Sequence, residues 1–251
     1  MKIGIIGAML EETQLIMNNM KILSEETIGM RTYYTGRLFD KDIVLVFSRW
    51  GKVAAASTVT TLIQKFGVDL VLFTGVAGAA RNDLNVGDIV IADKLVQHDM
   101  DVTALPGFGS FEIPLLGKSY FEVDESLLKC AVESARHYID TELISIPADL
   151  LNEFGIKLPK VLTGTIASGD QFIGNAGKVI ELTSQIENLQ CVEMEGAAVA
   201  QVCFEHNIKF IVLRVISDKA NEHADIDFPK FVENAARIFT YGVIKQFISA
   251  I

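Results

Sequence analysis

The sequence predicts an α/β protein: a single three-layer α/β/α domain over residues 1–251, built around a central mixed sheet. Three observations carry that prediction. Short runs rich in Val, Ile and Leu alternate along the whole chain with longer amphipathic or small-residue segments, the interleaving expected of strands and helices. The strand runs are apolar almost throughout, as strands covered on both faces require. No linker, repeat or low-complexity tract interrupts the series, and with 50% hydrophobic and 22% charged residues there is ample material for a core.

Residues 2–7 read as the first strand and 9–20 as the helix that follows it. Residues 31–38 and 42–47 form a strand pair joined at Phe39-Asp40-Lys41. Residues 52–66 are helical, with small side chains in the first half that allow close packing on a sheet. Residues 69–73 make a compact strand that stops in Thr74-Gly75-Val76-Ala77-Gly78, and 88–91 and 94–98 supply further strands. Glycine and proline break 106–117 into a loop. Helices are expected at 123–138 and 148–154, then a strand at 160–167 ending in Ser168-Gly169-Asp170. A helix at 176–186, a short strand at 191–192 and a small-residue helix at 196–206 follow. Residues 209–216 are the most apolar strand, and an amphipathic helix at 228–248 closes the chain.

The bulk charge excludes several functions. A net charge of −10 and a pI of about 4.9 repel phosphate backbones and anionic lipid, so neither a nucleic acid nor a membrane is expected as partner. No run approaches the roughly 18 apolar residues needed to span a bilayer. The opening MKIGIIGAMLEE holds one basic residue, a short apolar stretch and two acids, which suits a buried strand and not a signal peptide. Three cysteines without a CxxC pair and four scattered histidines without HExxH predict no disulfide framework and no metal. Reduced thiols in a cytoplasmic protein are the expectation.

In sheets of this kind ligands gather beyond the carboxyl ends of the strands. Four segments there carry conspicuous residues: 8–12, 75–78, 168–173 and 217–221. Glu11 and Glu12 open a helix, where acids favour the positive end of the dipole, but their place after a strand also suits a site. Gly75-Val76-Ala77-Gly78 is neither GxGxxG nor a P-loop; a close approach of backbone to ligand and a plain turn both explain it. In Val192-Glu193-Met194-Glu195-Gly196, Glu195 suits a helix cap or a site equally. Arg214 lies inside the most apolar strand and requires a carboxylate partner, Glu193 or Glu195, because an unpaired buried guanidinium is very costly. Asp218, at that strand's end after Ser217, suits a cap or a catalytic acid. His98-Asp99-Met100-Asp101 has one histidine and no distant partner motif, so it reads as a structural turn or interface. Met9, Trp50 and Phe172 taken singly are as consistent with core as with ligand contact.

Taken together, IGAMLEE at 6–12, TGVAGAA at 74–80, VGDIVIAD at 86–93, QHDMDVTA at 97–104, SGDQFI at 168–173, VEMEGAAVA at 192–200 and RVISDKAN at 214–221 resemble the methylthioadenosine/S-adenosylhomocysteine nucleosidases of the nucleoside phosphorylase superfamily. They run in family order across nearly the whole chain. The resemblance implies hydrolysis of the N-glycosidic bond of an adenine nucleoside, without a cofactor, by a cytoplasmic homodimer. It implies Glu12 as the general base that activates water and Asp218 as the general acid that protonates adenine N7. It places Met194 and Glu195 on the ribose, Glu195 holding the 2′- and 3′-hydroxyls, with Phe172 stacked on adenine and the Ile173 backbone reading its edge. Met9 and Gly78 contact substrate, Arg214 and Ser217 support the acids and the base, and residues 105–113 help close the partner's pocket. Glu12 is then expected to be reached by water and ionised, and Asp218 desolvated and protonated.

Two departures stand out. Val76 replaces the hydroxyl residue found in many relatives, and Arg49-Trp50 replaces a glycine and a smaller aliphatic, which bears on the 5′-substituent accepted. Three alternatives follow. A phosphorylase would need a cationic phosphate cradle, for which only Arg49 and Arg81 lie near suitable loops. Another adenine nucleoside, 6-amino-6-deoxyfutalosine or 5′-deoxyadenosine, would use the same residues. A non-catalytic nucleoside-binding protein would be expected to lose the acid or the base, and this chain keeps both.

Overall fold

The computed structural model of the chain describes residues 1–221 and 224–251, with the side chains of all these except 225 and 226. The elements run β1 (Lys2–Gly7), α1 (Leu10–Asn19), β2 (Lys21–Ile28), β3 (Arg31–Leu38), β4 (Lys41–Phe47), α2 (Lys52–Gln64), β5 (Leu70–Ala79), β6 (Ile89–Gln97), β7 (Tyr120–Glu122), α3 (Glu125–Glu142), α4 (Ala148–Glu153) and β8 (Val161–Ser168). They continue with α5 (Ala176–Gln185), β9 (Leu189–Glu193), α6 (Gly196–Glu205), β10 (Lys209–Asp218), α7 (Ala224–Phe231) and α8 (Arg237–Ala250).

One mixed sheet runs in the order β10-β6-β8-β9-β5-β1-β4-β3-β2, with β7 paired to β6. Because β10 also pairs with β5, the first five strands of that order close on themselves. The period-two alternation of strand side chains divides the apolar runs between two cores. Ile3, Ile5, Leu70, Leu72, Ile211 and Leu213 pack with α1, α3 and α8 on one face. Ile6, Val71, Phe73, Phe210 and Val212 pack with α2 and α6 on the other. This gives the mixed sheet with flanking helices that the apolar strands predicted.

Several differences have physical causes. β2 is an edge strand exposed along nearly its whole length and paired only to β3, so no buried face marks it in the sequence. The two expected strands at 88–91 and 94–98 are one, β6, with a bulge between Ala92 and Lys94. β5 does not stop at Phe73. Gly75–Ala77 pair in parallel with Arg214–Ile216, and Gly78–Ala79 pair antiparallel with Val192–Cys191, so the glycine segment is strand. The single C-terminal helix expected is broken: Pro229 lies inside α7, and a π-helical turn, Val232–Ala236, joins α7 to α8.

Among the described residues no helix is long and apolar enough to cross a membrane, and no group of His, Cys, Asp and Glu could hold a metal ion.

Candidate active site

The carboxyl ends of β1, β5, β8, β9 and β10 converge on one cleft of about 590 Å³, partly open to solvent. Met9, Glu12, Val76, Gly78, Phe172, Ile173, Met194, Glu195, Ser217 and Asp218 all line it. Of the catalytic and substrate-binding residues that the resemblance names, Arg214 alone is not in this lining and stands behind the wall, and Glu11, the other acid of that helix start, faces away from the cleft.

Glu12 sits at the third position of α1, 2% exposed, and its side chain folds back over the helix start. Oε2 accepts the backbone N–H groups of Ala8 (2.7 Å) and Met9 (2.9 Å), and Oε1 accepts that of Val76 (3.1 Å). The helix-terminal role and the site role therefore coincide in one carboxylate. Gly75 makes the room: a Cβ there would lie 2.6 Å from Glu12 Oε1. The Val76 departure removes a hydroxyl but leaves the backbone donor that Glu12 uses.

Glu12 lines the cleft but is far more buried than a freely solvated carboxylate. Burial pushes its carboxyl up to about 7, while Arg214 and the amides of Met9, Ala8 and Val76 pull it down. A carboxyl balanced there is about half ionised near neutrality and fully ionised above it.

Asp218 ends β10 at a bulge opposite Gly78 and is 2% exposed. Its Oδ2 accepts the Ser217 hydroxyl (2.8 Å) and its Oδ1 the Ala220 N–H (2.8 Å). Burial raises its pKa, against the Ser217 hydroxyl and Ala220 amide, and Asp227 adds to the rise. No cation hydrogen-bonds it among the described contacts. The Ser217 Oγ also lies 3.3 Å from Ala77 O, so the hydroxyl has a second acceptor whenever Asp218 is neutral.

The partner of Arg214 is Glu193. Arg214, 1% exposed, donates from Nη2 to Glu193 Oε2 at 2.5 Å, donates to Leu213 O at 3.0 Å and lies 4.1 Å over the Phe73 ring. Glu193 also accepts the N–H of Gly196 and that of Glu195 (3.2 Å), and the hydroxyl of Ser168. Glu193 thus caps α6, and Glu195 makes no cap hydrogen bond. Among the described contacts its Oε1 accepts the Gly51 N–H alone, at 2.8 Å, leaving acceptor capacity toward the cleft. Burial and the neighbouring Glu193 raise the Glu195 pKa.

An aromatic group frames the mouth. Phe228 of α7 meets Phe172 edge-on at 5.6 Å and Trp50 at 6.2 Å. Phe228 escaped the sequence reading because it falls on the apolar face of an amphipathic segment, where an aromatic looks like core. Its one signal was Pro229 beside it, which disturbs the helix there. Arg49 donates to Met30 O at 2.9 Å and Arg81 pairs bidentately with Asp83 at 2.9 and 3.0 Å; neither lines the cleft. Of the 98–101 cluster, Asp99 pairs with Lys52 (2.6 Å) and Asp101 accepts from Thr103 in a local turn.

Comparisons with known proteins agree with this geometry. The family described as Phosphorylase superfamily matches residues 2–249. The chain is 37% identical over 236 residues to a 5′-methylthioadenosine/S-adenosylhomocysteine nucleosidase of Anoxybacillus flavithermus, covering 94% of this chain and 93% of that protein. The nucleosidase of Neisseria meningitidis, solved with methylthio-immucillin-A, superposes with a TM-score of 0.88 at 32% identity, covering 100% and 99% of the two chains. A futalosine hydrolase of Helicobacter pylori superposes with a TM-score of 0.84 at 35% identity, covering 100% and 98%. The chain belongs to the phosphorylase superfamily and, within it, to the 5′-methylthioadenosine/S-adenosylhomocysteine nucleosidase family.

Proposed function

We propose that this chain hydrolyses the N-glycosidic bond of 5′-methylthioadenosine and S-adenosylhomocysteine, releasing adenine and the 5-thio-substituted ribose. The observation that carries the reading is a cleft lined by four carboxyls, of which Glu193 is paired with Arg214 while Glu12, Glu195 and Asp218 are held separately, and by no lysine or arginine among the described residues. Breaking C1′–N9 builds positive charge on the sugar and negative charge on the base. Acids suit the first, and a protonated acid suits the second.

In this reading Glu12 takes a proton from water as its oxygen bonds to C1′, and Asp218 gives its proton to N7 as the C1′–N9 electron pair moves onto adenine. Glu12 is held by three N–H donors near Arg214, surroundings that favour a carboxylate. Among the described contacts no cation hydrogen-bonds Asp218, and a purine covering it desolvates it further. Ser217 can turn from Ala77 O to Oδ2 as Asp218 gains charge. Glu195 holds the ribose diol beside Met194, Phe172 stacks on the base, Ile173 reads its edge, and Met9 and Gly78 complete the walls. Arg214 acts at a distance, fixing Glu193 and holding Glu12 toward ionisation.

A phosphate-dependent reaction is disfavoured because Arg49 and Arg81 are engaged elsewhere and three acids would repel the anion. The resemblance to a futalosine hydrolase keeps other adenine nucleosides in the substrate panel. We further propose that residues 1–251 act as one catalytic domain, as a cytoplasmic homodimer serving methionine salvage. Free Cys130, Cys191 and Cys203 fit a reducing compartment, and exposed Leu105 and Leu115 fit a loop that packs on a partner. Sedimentation velocity tests the dimer.

The deciding experiment follows adenine release from 5′-methylthioadenosine with and without phosphate. Release at equal rates in both is the expected result; a strict phosphate requirement, or no release from any adenine nucleoside, overturns the reading.

A further inference from the structure

Two loops bring the sugar and base contacts of the cleft together. The β4–α2 loop, residues 48–51, ends at Gly51, whose N–H donates to Glu195 Oε1 at 2.8 Å. The loop after β8 carries Phe172 and Ile173. Side chains outside the cleft tie the two. The Lys52 N–H donates to Asp170 Oδ1 at 2.8 Å, and Lys52 Nζ donates to Asp99 Oδ1 at 2.6 Å. Asp99 Oδ2 accepts the Asp170 N–H at 2.9 Å. Asp99 therefore grips both loops at once, from the end of β6.

We propose that Lys52, Asp99 and Asp170 form a latch of positioning residues that sets the distance between the ribose clamp at Glu195 and the adenine platform at Phe172. The proposal rests on the roles given above to Glu195 and Phe172. None of the three latch residues lines the cleft, so none is a catalytic residue. The Lys52 and Asp99 side chains are only 16% and 20% exposed, which separates this pair from freely solvated surface ion pairs. The fit is close: Gly51 has φ +91°, and a Cβ there would lie 3.0 Å from Asp170 Oδ1. The latch thus demands glycine where the loop turns to reach Glu195. Trp50, the only tryptophan in the chain, is next to Gly51 and reports on the loop directly.

The test compares Lys52→Met, Asp99→Asn, their double variant and Lys52→Arg with the unaltered protein, reading kcat and KM for 5′-methylthioadenosine and acrylamide quenching of Trp50. Each of the first two variants is expected to raise KM about tenfold while kcat changes by less than about threefold, the loss expected for one charged hydrogen bond that acts on binding. The double variant should be no worse than the weaker single one, because both break one network. Lys52→Arg should recover much of the lost affinity. Trp50 quenching should rise in the variants that lose the latch. Additive losses in the double variant, a loss confined to kcat, or unmoved Trp50 quenching would overturn the proposal. If Lys52→Met folds poorly, Asp99→Asn reads the same network from its other end. Failure of the unaltered protein to release adenine would instead sink the functional reading beneath it.

Discussion

Replacing Gly75 by alanine tests how tightly the Glu12 carboxylate is positioned. The new Cβ would lie 2.6 Å from Oε1 and 3.1 Å from Cδ, where ordinary contact begins at 3.4 Å. The carboxylate must therefore retreat by about 0.8 Å, the difference between 3.4 and 2.6 Å. It cannot do so freely, because Ala8, Met9 and Val76 hold its two oxygens at 2.7, 2.9 and 3.1 Å. A misplacement near 1 Å costs on the order of 10²-fold in rate, and overpacking costs about 1–3 kcal/mol of stability. Gly75→Ala should thus lower kcat for adenine release by roughly 10²-fold while leaving adenine affinity nearly unchanged, since Phe172, Ile173 and Asp218 stay in place. Steady-state kinetics, adenine binding by calorimetry and thermal unfolding read the three quantities separately. A folded variant with kcat near that of the unaltered protein would refute the reasoning, because Glu12 would then not need its present position.

Other expectations follow from the same geometry. Asp218→Asn should lower kcat by about 10²–10⁴-fold, the usual contribution of a general acid, with the fold retained in circular dichroism; activity within tenfold would mean that another group protonates the base. The Glu12 carboxyl, held up to about 7, takes a proton from water only when ionised. So kcat/KM should fall about tenfold per unit as pH drops below that value, and a flat profile down to pH 5 would remove Glu12 as base. Arg214→Met leaves Glu193 charged and buried without its guanidinium, so urea unfolding should show a loss of about 3–5 kcal/mol; a loss below 1 kcal/mol would mean that Glu193 is satisfied by its other donors. Trp50→Ala opens the cleft mouth, and the rate ratio of S-adenosylhomocysteine to 5′-methylthioadenosine should rise about tenfold. An unchanged ratio would place the 5′-group elsewhere.

The fold was legible where burial leaves a local pattern. The runs at 2–7, 69–73 and 209–216 are apolar because both faces of the sheet are covered, and they appear as β1, the first part of β5 and most of β10. β2 was not legible, since an exposed edge strand such as KILSEETI has no buried face to record. The continuation of β5 through Gly75 and Gly78 was hidden for a different reason. Glycine signals a turn locally, and here its use is spatial: Gly75 clears the Glu12 carboxylate and Gly78 clears Asp218 and Ala220.

Site chemistry was legible as residue types at strand ends, and the acids came into view only as alternatives between cap and site. The division of labour between Glu193 and Glu195 could not be read from EME. It depends on which carboxylate Arg214 meets across the sheet, a contact between residues 21 positions apart. Glu12 shows the limit in the other direction. The resemblance implied an ionised carboxylate reached by water, and the packing of β5 against it leaves only 2% of the residue exposed in the cleft wall.

Catalysis by this cleft depends on which carboxyl faces the purine. A crystal structure with adenine bound tests this most directly. It should show one Asp218 oxygen at hydrogen-bond distance from N7, about 2.6–3.2 Å, with Glu12 across the cleft on the side left open for the sugar and water. Adenine seated with N7 turned to solvent or to a backbone amide, and Asp218 out of reach, would contradict the account.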